Sequence, residues 1–326
     1  MLTPSWRVAL AGLATMLVPS GINAHCVIGT RFFPATLSVD DPCVAEELSL
    51  PTVASFKNGD APSAREVDIS AEYSKRITDT VGVSVGSAWT RLSPPDAPSV
   101  TGSQNIEASL KWQFLTQPAR EFVTSAALVV EFGHTGNATV GAESLSTYTP
   151  TLYVGQGFGG LADDMRIARP FALTGQIGYS IPSSSSSTTV DPDSGMAVIE
   201  LHPNFLRYGG SLQYSLPYLK SNVVDLGLPD FFDHLIPIVE AQFQTPVANY
   251  SNTGIATTGT VTPGVIWVGK YFQVAVEAIV PINRASGTGV GVLAQLHLYL
   301  DDIFPNSIGK PIFSSASTAS QLSRGR

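Results

Sequence analysis

The chain has 326 residues, a net charge of −8, and 13% charged against 44% hydrophobic residues, where an ordinary soluble domain is about 25% charged. That balance excludes a disordered chain, which needs high charge and low hydrophobicity, and a nucleic-acid partner, which needs a basic surface. A polytopic helical membrane protein is excluded too, because nothing past the N-terminus approaches about 18 consecutive apolar residues.

The chain opens as an export signal. Arg7 precedes the apolar run Val8 to Val18, which Pro19, Ser20 and Gly21 break, and Ile22-Asn23-Ala24 forms a cleavage site. This predicts a signal peptide over 1–24, export through the general secretory pathway and a mature chain starting near His25. The run is too short for an uncleaved anchor. Asn23-Ala24-His25 before Cys26 is not the sequence of a lipidation site. Cys26 and Cys43 are the two cysteines, and in an exported chain they favour one disulfide closing a short loop, with two free thiols as the alternative. Residues 25–47 therefore read as a periplasmic N-terminal segment.

From there the period is two. Val67, Ile69, Ala71 and Tyr73 alternate with Asp68, Ser70, Glu72 and Ser74. Ile106, Ala108, Leu110, Trp112 and Phe114 alternate with Glu107, Ser109, Lys111 and Gln113. Similar alternation marks twelve candidate strands, near 48–57, 65–75, 81–90, 105–115, 122–133, 147–158, 168–181, 198–216, 235–247, 258–269, 271–282 and 289–300. Most are about ten to thirteen residues long, whereas soluble strands average about five or six and a strand tilted across a bilayer needs about 9–11. With one apolar face and one face of Ser, Gln, Glu, Lys and Gly, the pattern predicts an all-β transmembrane antiparallel barrel of about twelve strands (ten to fourteen) over 48–304, followed by a C-terminal tail over 305–326. An exported sandwich or soluble barrel is the competing reading. An even count puts both ends in the periplasm, with the long connections 91–104, 134–146, 182–197 and 248–257 outside and the tight ones 76–80, 116–121 and Gly269-Lys270 inside. The first candidate contains Pro51, which argues against a strand there, and dropping that strand would invert the inside–outside pattern.

The inward-facing set is Asp68, Glu72, Glu107, Lys111, Glu131, Arg207, Glu240, Lys270 and Glu277. These are pore-lining candidates, with acids in excess, so an open pore would favour cations. The competing reading is a salt-bridge network that fills a narrow barrel. Trp89, Trp112, Trp267, Tyr148, Tyr208 and Tyr271 are candidates for interfacial aromatic girdles.

Other motifs carry less. Gly155-Gln156-Gly157-Phe158-Gly159-Gly160 has the dinucleotide-loop spacing, but no helical pattern follows it, so it reads as glycines at a strand end. Asp191-Pro192-Asp193-Ser194-Gly195 lacks the distal Glu of a calcium loop and reads as a polar loop. His134 is the one weak catalytic candidate, for a barrel-embedded lipid hydrolase, yet no serine near it has a nucleophile context. The five histidines show no paired spacing, so neither a metal nor a cofactor is expected.

Arg31-Phe32-Phe33-Pro34-Ala35-Thr36-Leu37 with Asp40-Asp41-Pro42, Glu66-Val67-Asp68-Ile69-Ser70 with Ser74-Lys75-Arg76-Ile77, and Asp301-Asp302-Ile303-Phe304-Pro305 together resemble outer-membrane barrels of the MetA-pathway-of-phenol-degradation transporter type. The resemblance covers both ends of the mature chain. It implies passage of small, often hydrophobic or aromatic, molecules across the bacterial outer membrane, and it transfers no functional residue. The expected function is a passive channel or transporter, with a lipid hydrolase and a closed structural or assembly barrel as alternatives. Expected partners are outer-membrane lipid, a small-molecule solute and the barrel-assembly machinery. The segment before the first strand could fold into the barrel from the periplasmic side.

Overall fold

Period-two segments this long cannot satisfy their backbone groups alone, and in a bilayer a closed barrel is the arrangement of strands that leaves no edge. The computed structural model describes residues 26–60, 62–190, 195–250 and 257–313. The expected signal peptide over 1–24, His25, most of the 191–195 loop and the tail beyond 313 lie outside the described residues.

Twelve antiparallel strands close on themselves. They are β1 (Glu47–Lys57), β2 (Arg65–Arg76), β3 (Val81–Ser93), β4 (Ile106–Gln117), β5 (Phe122–Phe132), β6 (Thr147–Gly157), β7 (Phe171–Pro182), β8 (Asn204–Tyr214), β9 (Leu235–Ala248), β10 (Thr258–Val268), β11 (Phe272–Pro281) and β12 (Gly291–Tyr299). Each pairs with its sequence neighbours, and β12 pairs with β1 from Val292↔Ser55 to Tyr299↔Glu47, which seals the cylinder. All twelve candidate segments become barrel strands. The seventh starts only at Phe171, after a short 3₁₀ turn over Asp163–Ala168. The eighth divides into β8 and one arm of a separate hairpin, Ser186–Val190 with Ala197–Leu201. Pro51 sits where the β1 register shifts between Ser49 and Thr52, so its missing N–H interrupts no ladder.

The outer wall is apolar. Ile69, Leu110, Trp112, Leu128, Leu152, Ile177, Leu212, Val239 and Val276 are all exposed and point away from the axis. Trp89, Tyr148 and Tyr271 are exposed on the same surface. Tyr208 stacks on Phe243, and Trp267 on Phe231 and Phe272. One barrel end carries the tight turns 77–80, 118–121 and 269–271, and also α1 (Leu216–Asn222), α2 (Asp230–Asp233) and α3 (Leu300–Ile303).

The segment before β1 is no outside appendage: residues 26–46 run inside the barrel. Arg31, Phe33, Val39 and Glu46 are at most 1% exposed. Cys26 and Cys43 are joined by a disulfide, and with Ile28 and Phe33 they pack on Val123 of β5 and Ala172 of β7. Phe32 and Leu37 pack on Ile236 and Ile238 of β9, Ile266 of β10 and Ala275 of β11.

Candidate functional site

The inner segment is anchored at four places. At the tight-turn end, Arg31 donates to a Glu121 carboxylate oxygen at 3.2 Å and to the Pro170 carbonyl at 3.0 Å, and its guanidinium lies 3.7 Å from the centre of the Tyr218 ring. Glu121 also accepts from Thr30, from the Tyr218 hydroxyl and from the Gly159 amide. At the turn of the segment, the Glu240 carboxylate accepts three consecutive amides: Leu37 at 2.9 Å, and Ser38 and Val39 at 2.7 Å each. Across the lumen, Lys111 reaches Asp40 at 2.7 Å and the Asp41 carbonyl at 2.9 Å. Where the segment enters β1, Glu46 is held by Lys75 at 2.8 Å and Arg76 at 3.6 Å, and Arg76 also reaches Asp301 at 3.7 Å.

Glycines make room for this path. A side chain at Gly155 would strike Phe33 and Pro42, and one at Gly157 would strike Arg31 and Glu121. Gly155 and Gly157 are therefore a track along which the inner segment lies against β6, while Gly159 abuts Glu121 and Tyr218 and Gly160 faces open space. A Cβ at Gly209 of β8 would likewise crowd Val39.

The segment leans on the β5–β11 side and leaves the other side open. A cavity of about 570 Å³ runs between it and the wall formed by β12 and β1–β5. Its strand lining is small and hydroxylated, Ser49, Thr52, Ser70, Ser84, Gly86 and Ser109 among it, with Glu72, Glu107 and Glu131. A second cavity, about 890 Å³, lies towards the long-loop end and includes Glu66, Asp68 and Arg207. The two share Leu37, Thr52, Ser70, Ala88 and Gln104 as wall, so they adjoin.

The pore-lining candidates thus separate into groups. Glu72, Glu107 and Glu131 face the first cavity, and Asp68 and Arg207 the second. Lys111, Glu240 and Glu277 are buried in the lumen wall, the first two bonded to the inner segment. Lys270 is a correction. It lies exposed in the three-residue turn between β10 and β11, beside Tyr271, where the strand has left the wall and the alternation no longer aims a side chain inward. His134 sits exposed in the loop after β5 at φ +62°, and its imidazole makes no hydrogen bond to any side chain among the described residues.

Sequence reading missed Arg31, Asp40, Glu46 and Glu121 as lumen residues, and it left Gln295 and His297, on the face of the last strand opposite its apolar side chains, out of the pore-lining set. One signal for the covered wall was present. Ile236, Ile238 and Ile266 place apolar side chains on the inward face of β9 and β10, and an inward apolar face needs something dry against it.

No protein-family model matches the sequence, and no curated protein matches it. Among solved structures, three give low-scoring matches. The NanC porin is 7% identical, with 76% of this chain matched to 98% of that one at a TM-score of 0.44. The COG4313 outer membrane channel from Pseudomonas putida F1 is 11% identical over 82% of this chain and 99% of its own, at 0.48. The β-domain of the Bordetella autotransporter BrkA is 10% identical over 78% and 98%, at 0.44.

Proposed function

We propose that this protein is an outer-membrane channel that passes small solutes by passive diffusion along an off-centre passage, with residues 26–46 as a fixed plug filling the rest of the lumen. The observation that carries the reading is the pair of adjoining polar cavities beside the plug. A closed, space-filling barrel would put bulky interlocked side chains there. Instead Glu72 and Glu107 face inward and are still exposed to water. The apolar outer wall supports a lipid surround, and the signal-like N-terminus supports export. On this reading the tight-turn end, where the plug enters, faces the periplasm.

The passage wall is made of hydroxyls, small residues and carboxylates. It suits small polar solutes, and cations over anions. The hydrophobic or aromatic cargo implied by the family resemblance would find only scattered apolar side chains there, such as Leu37, Val44, Leu92 and Leu293. The anchored plug favours one other reading, a sealed barrel with a structural role.

Planar-bilayer recording separates the two. The full-length folded protein is expected to give discrete conductance steps with a reversal potential that shows cation preference. A form lacking residues 26–46 should conduct several-fold more. A bilayer that stays silent at every salt concentration would refute the channel.

A further inference from the structure

Strand register places three carboxylates in one transverse row. Glu72 of β2 pairs with Gly86 of β3, Gly86 with Glu107 of β4, and Glu107 with Glu131 of β5. All three acids line the passage beside the plug. Neighbouring strands lie about 4.8 Å apart, so at the backbone Glu107 and Glu131 are separated by about 5 Å and Glu72 and Glu107 by about 10 Å. Gly86 keeps the gap between the last two clear, since a Cβ there would fall 2.9 Å from the Ala71 carbonyl and 3.3 Å from Glu72 Cβ.

The row has no direct ion pair, and Lys111 and Arg207 act on Glu72 and Glu107 only from farther off. Among the described residues no Lys, Arg or His lies within ion-pair distance of any of the three. The basic groups lining the same cavity are engaged elsewhere, Lys111 on Asp40 at 2.7 Å and His297 on Glu47 at 3.3 Å. Glu131 accepts from Asn105 at 2.9 Å and Glu72 from Ser74 at 3.4 Å, both neutral donors.

A second observation points to a missing donor. Gln295 of β12 is 8% exposed and lines the same cavity. Its amide nitrogen donates to Thr52 at 3.0 Å, while its carbonyl oxygen is buried with no hydrogen bond. A buried acceptor left unpaired is costly, and a hydrogen-bond donor in the cavity would satisfy it. An ammonium does so, with three N–H bonds and no acceptor.

We infer that the passage holds a binding site for a linear di- or polyamine, whose spaced ammonium groups lie along the Glu72–Glu107–Glu131 row with Gln295 as a neutral acceptor. The spread of the acids is what selects this class. A single metal ion needs ligands that converge, and among the described residues the one convergent set is Cys26, Asp41 and Cys43, whose sulfurs are tied up in the disulfide. Carboxylates strung across four strands match charges strung along a chain. The cavity, about 570 Å³, falls within the usual range for small-ligand sites, about 300–1,000 Å³.

The inference builds on the channel reading but is tested without current. Spermidine is titrated by calorimetry into the full-length folded protein in detergent at low ionic strength, with folding verified by heat-dependent mobility. Saturable binding is expected, weakened about tenfold or more in Glu72→Gln/Glu107→Gln/Glu131→Gln and unaffected by Glu200→Gln on the exposed outer hairpin. Should the triple variant fail to fold, Glu107→Gln alone is expected to weaken binding several-fold. Butylamine, with one ammonium, should bind far more weakly. Equal affinity of wild type and the Glu→Gln variants, equal affinity for butylamine, or tighter binding of magnesium would each overturn the site. Binding by a protein that passes no current would overturn the channel and leave the site standing.

Discussion

Asp301 sits on α3, outside the barrel wall, with Arg76 at 3.7 Å. Burial raises its carboxyl to about 8, Glu47 and Asp302 add to the rise, and Arg76 opposes it. Its folded value is therefore above its unfolded one, about 3.9. Between those values the folded protein holds a proton that the unfolded chain has released, so stability falls as pH rises through the window and the loss is complete above pH 8. Asp301→Asn removes this dependence. Its urea midpoint, measured against wild type from pH 4 to 9, should move in favour of the variant up to about pH 8 and then level off. A constant difference across that range would show that Asp301 is ionised throughout. Glu121 meets burial differently: Arg31 and four hydrogen-bond donors, Arg31 among them, surround it, the arrangement a buried charge requires.

The elements differ in how legible they are. The strands announce themselves because each must present lipid on one side and water on the other, which forces a period of two over nine to fourteen residues. The inner segment has no period to read. Its fold comes from separate contacts to wall residues far away in sequence, such as the Leu37 amide on Glu240, 203 positions on. From sequence, Glu240 is only one of several inward acids, and nothing local marks it as an acceptor for three amides. Lys270 misled for the opposite reason, since alternation was carried two residues past the end of the strand at Val268. The Glu240 contact makes a definite prediction. Glu240→Ala leaves three amides without an acceptor and should release the turn of the segment while the Arg31 anchor holds. Amide exchange over residues 37–39 should then accelerate at least about tenfold, equivalent to about 1.4 kcal/mol of lost protection, with the exchange of Arg31 unchanged. Uniform acceleration over 26–46 would mean that the segment docks as one unit.

At the scale of the molecule, the barrel has two unlike halves. One inner wall carries isoleucines and is covered; the other carries serine, glycine and glutamate and is wet. The lumen acids divide between the halves, Glu240 and Glu277 on the covered one and Glu72, Glu107 and Glu131 on the wet one, and the carboxylate row exists only because register brings β2, β4 and β5 to one height. A slip of one residue on any of these strands would turn its glutamate to the outer wall. Composition therefore foreshadows the charge preference, while the row itself depends on pairings that no stretch of sequence displays.

The disulfide imposes an order of events. Cys26 and Cys43 are 4% and 6% exposed, enclosed between the inner segment and the barrel wall. An oxidising enzyme has to engage a thiol directly, and no protein of that size can follow a cysteine into a lumen this narrow. The bond must then be made while the N-terminal stretch is still accessible, before the wall surrounds it. A chain caught by a thiol-blocking reagent during export should already be oxidised when it first becomes resistant to urea. If reduced chains become urea-resistant and oxidise later, the stretch must still be leaving the lumen after closure. The same enclosure works in reverse against a reducing enzyme, which cannot enter the finished barrel, so a reductant meets the bond only if it is small enough to travel the passage that Cys43 lines.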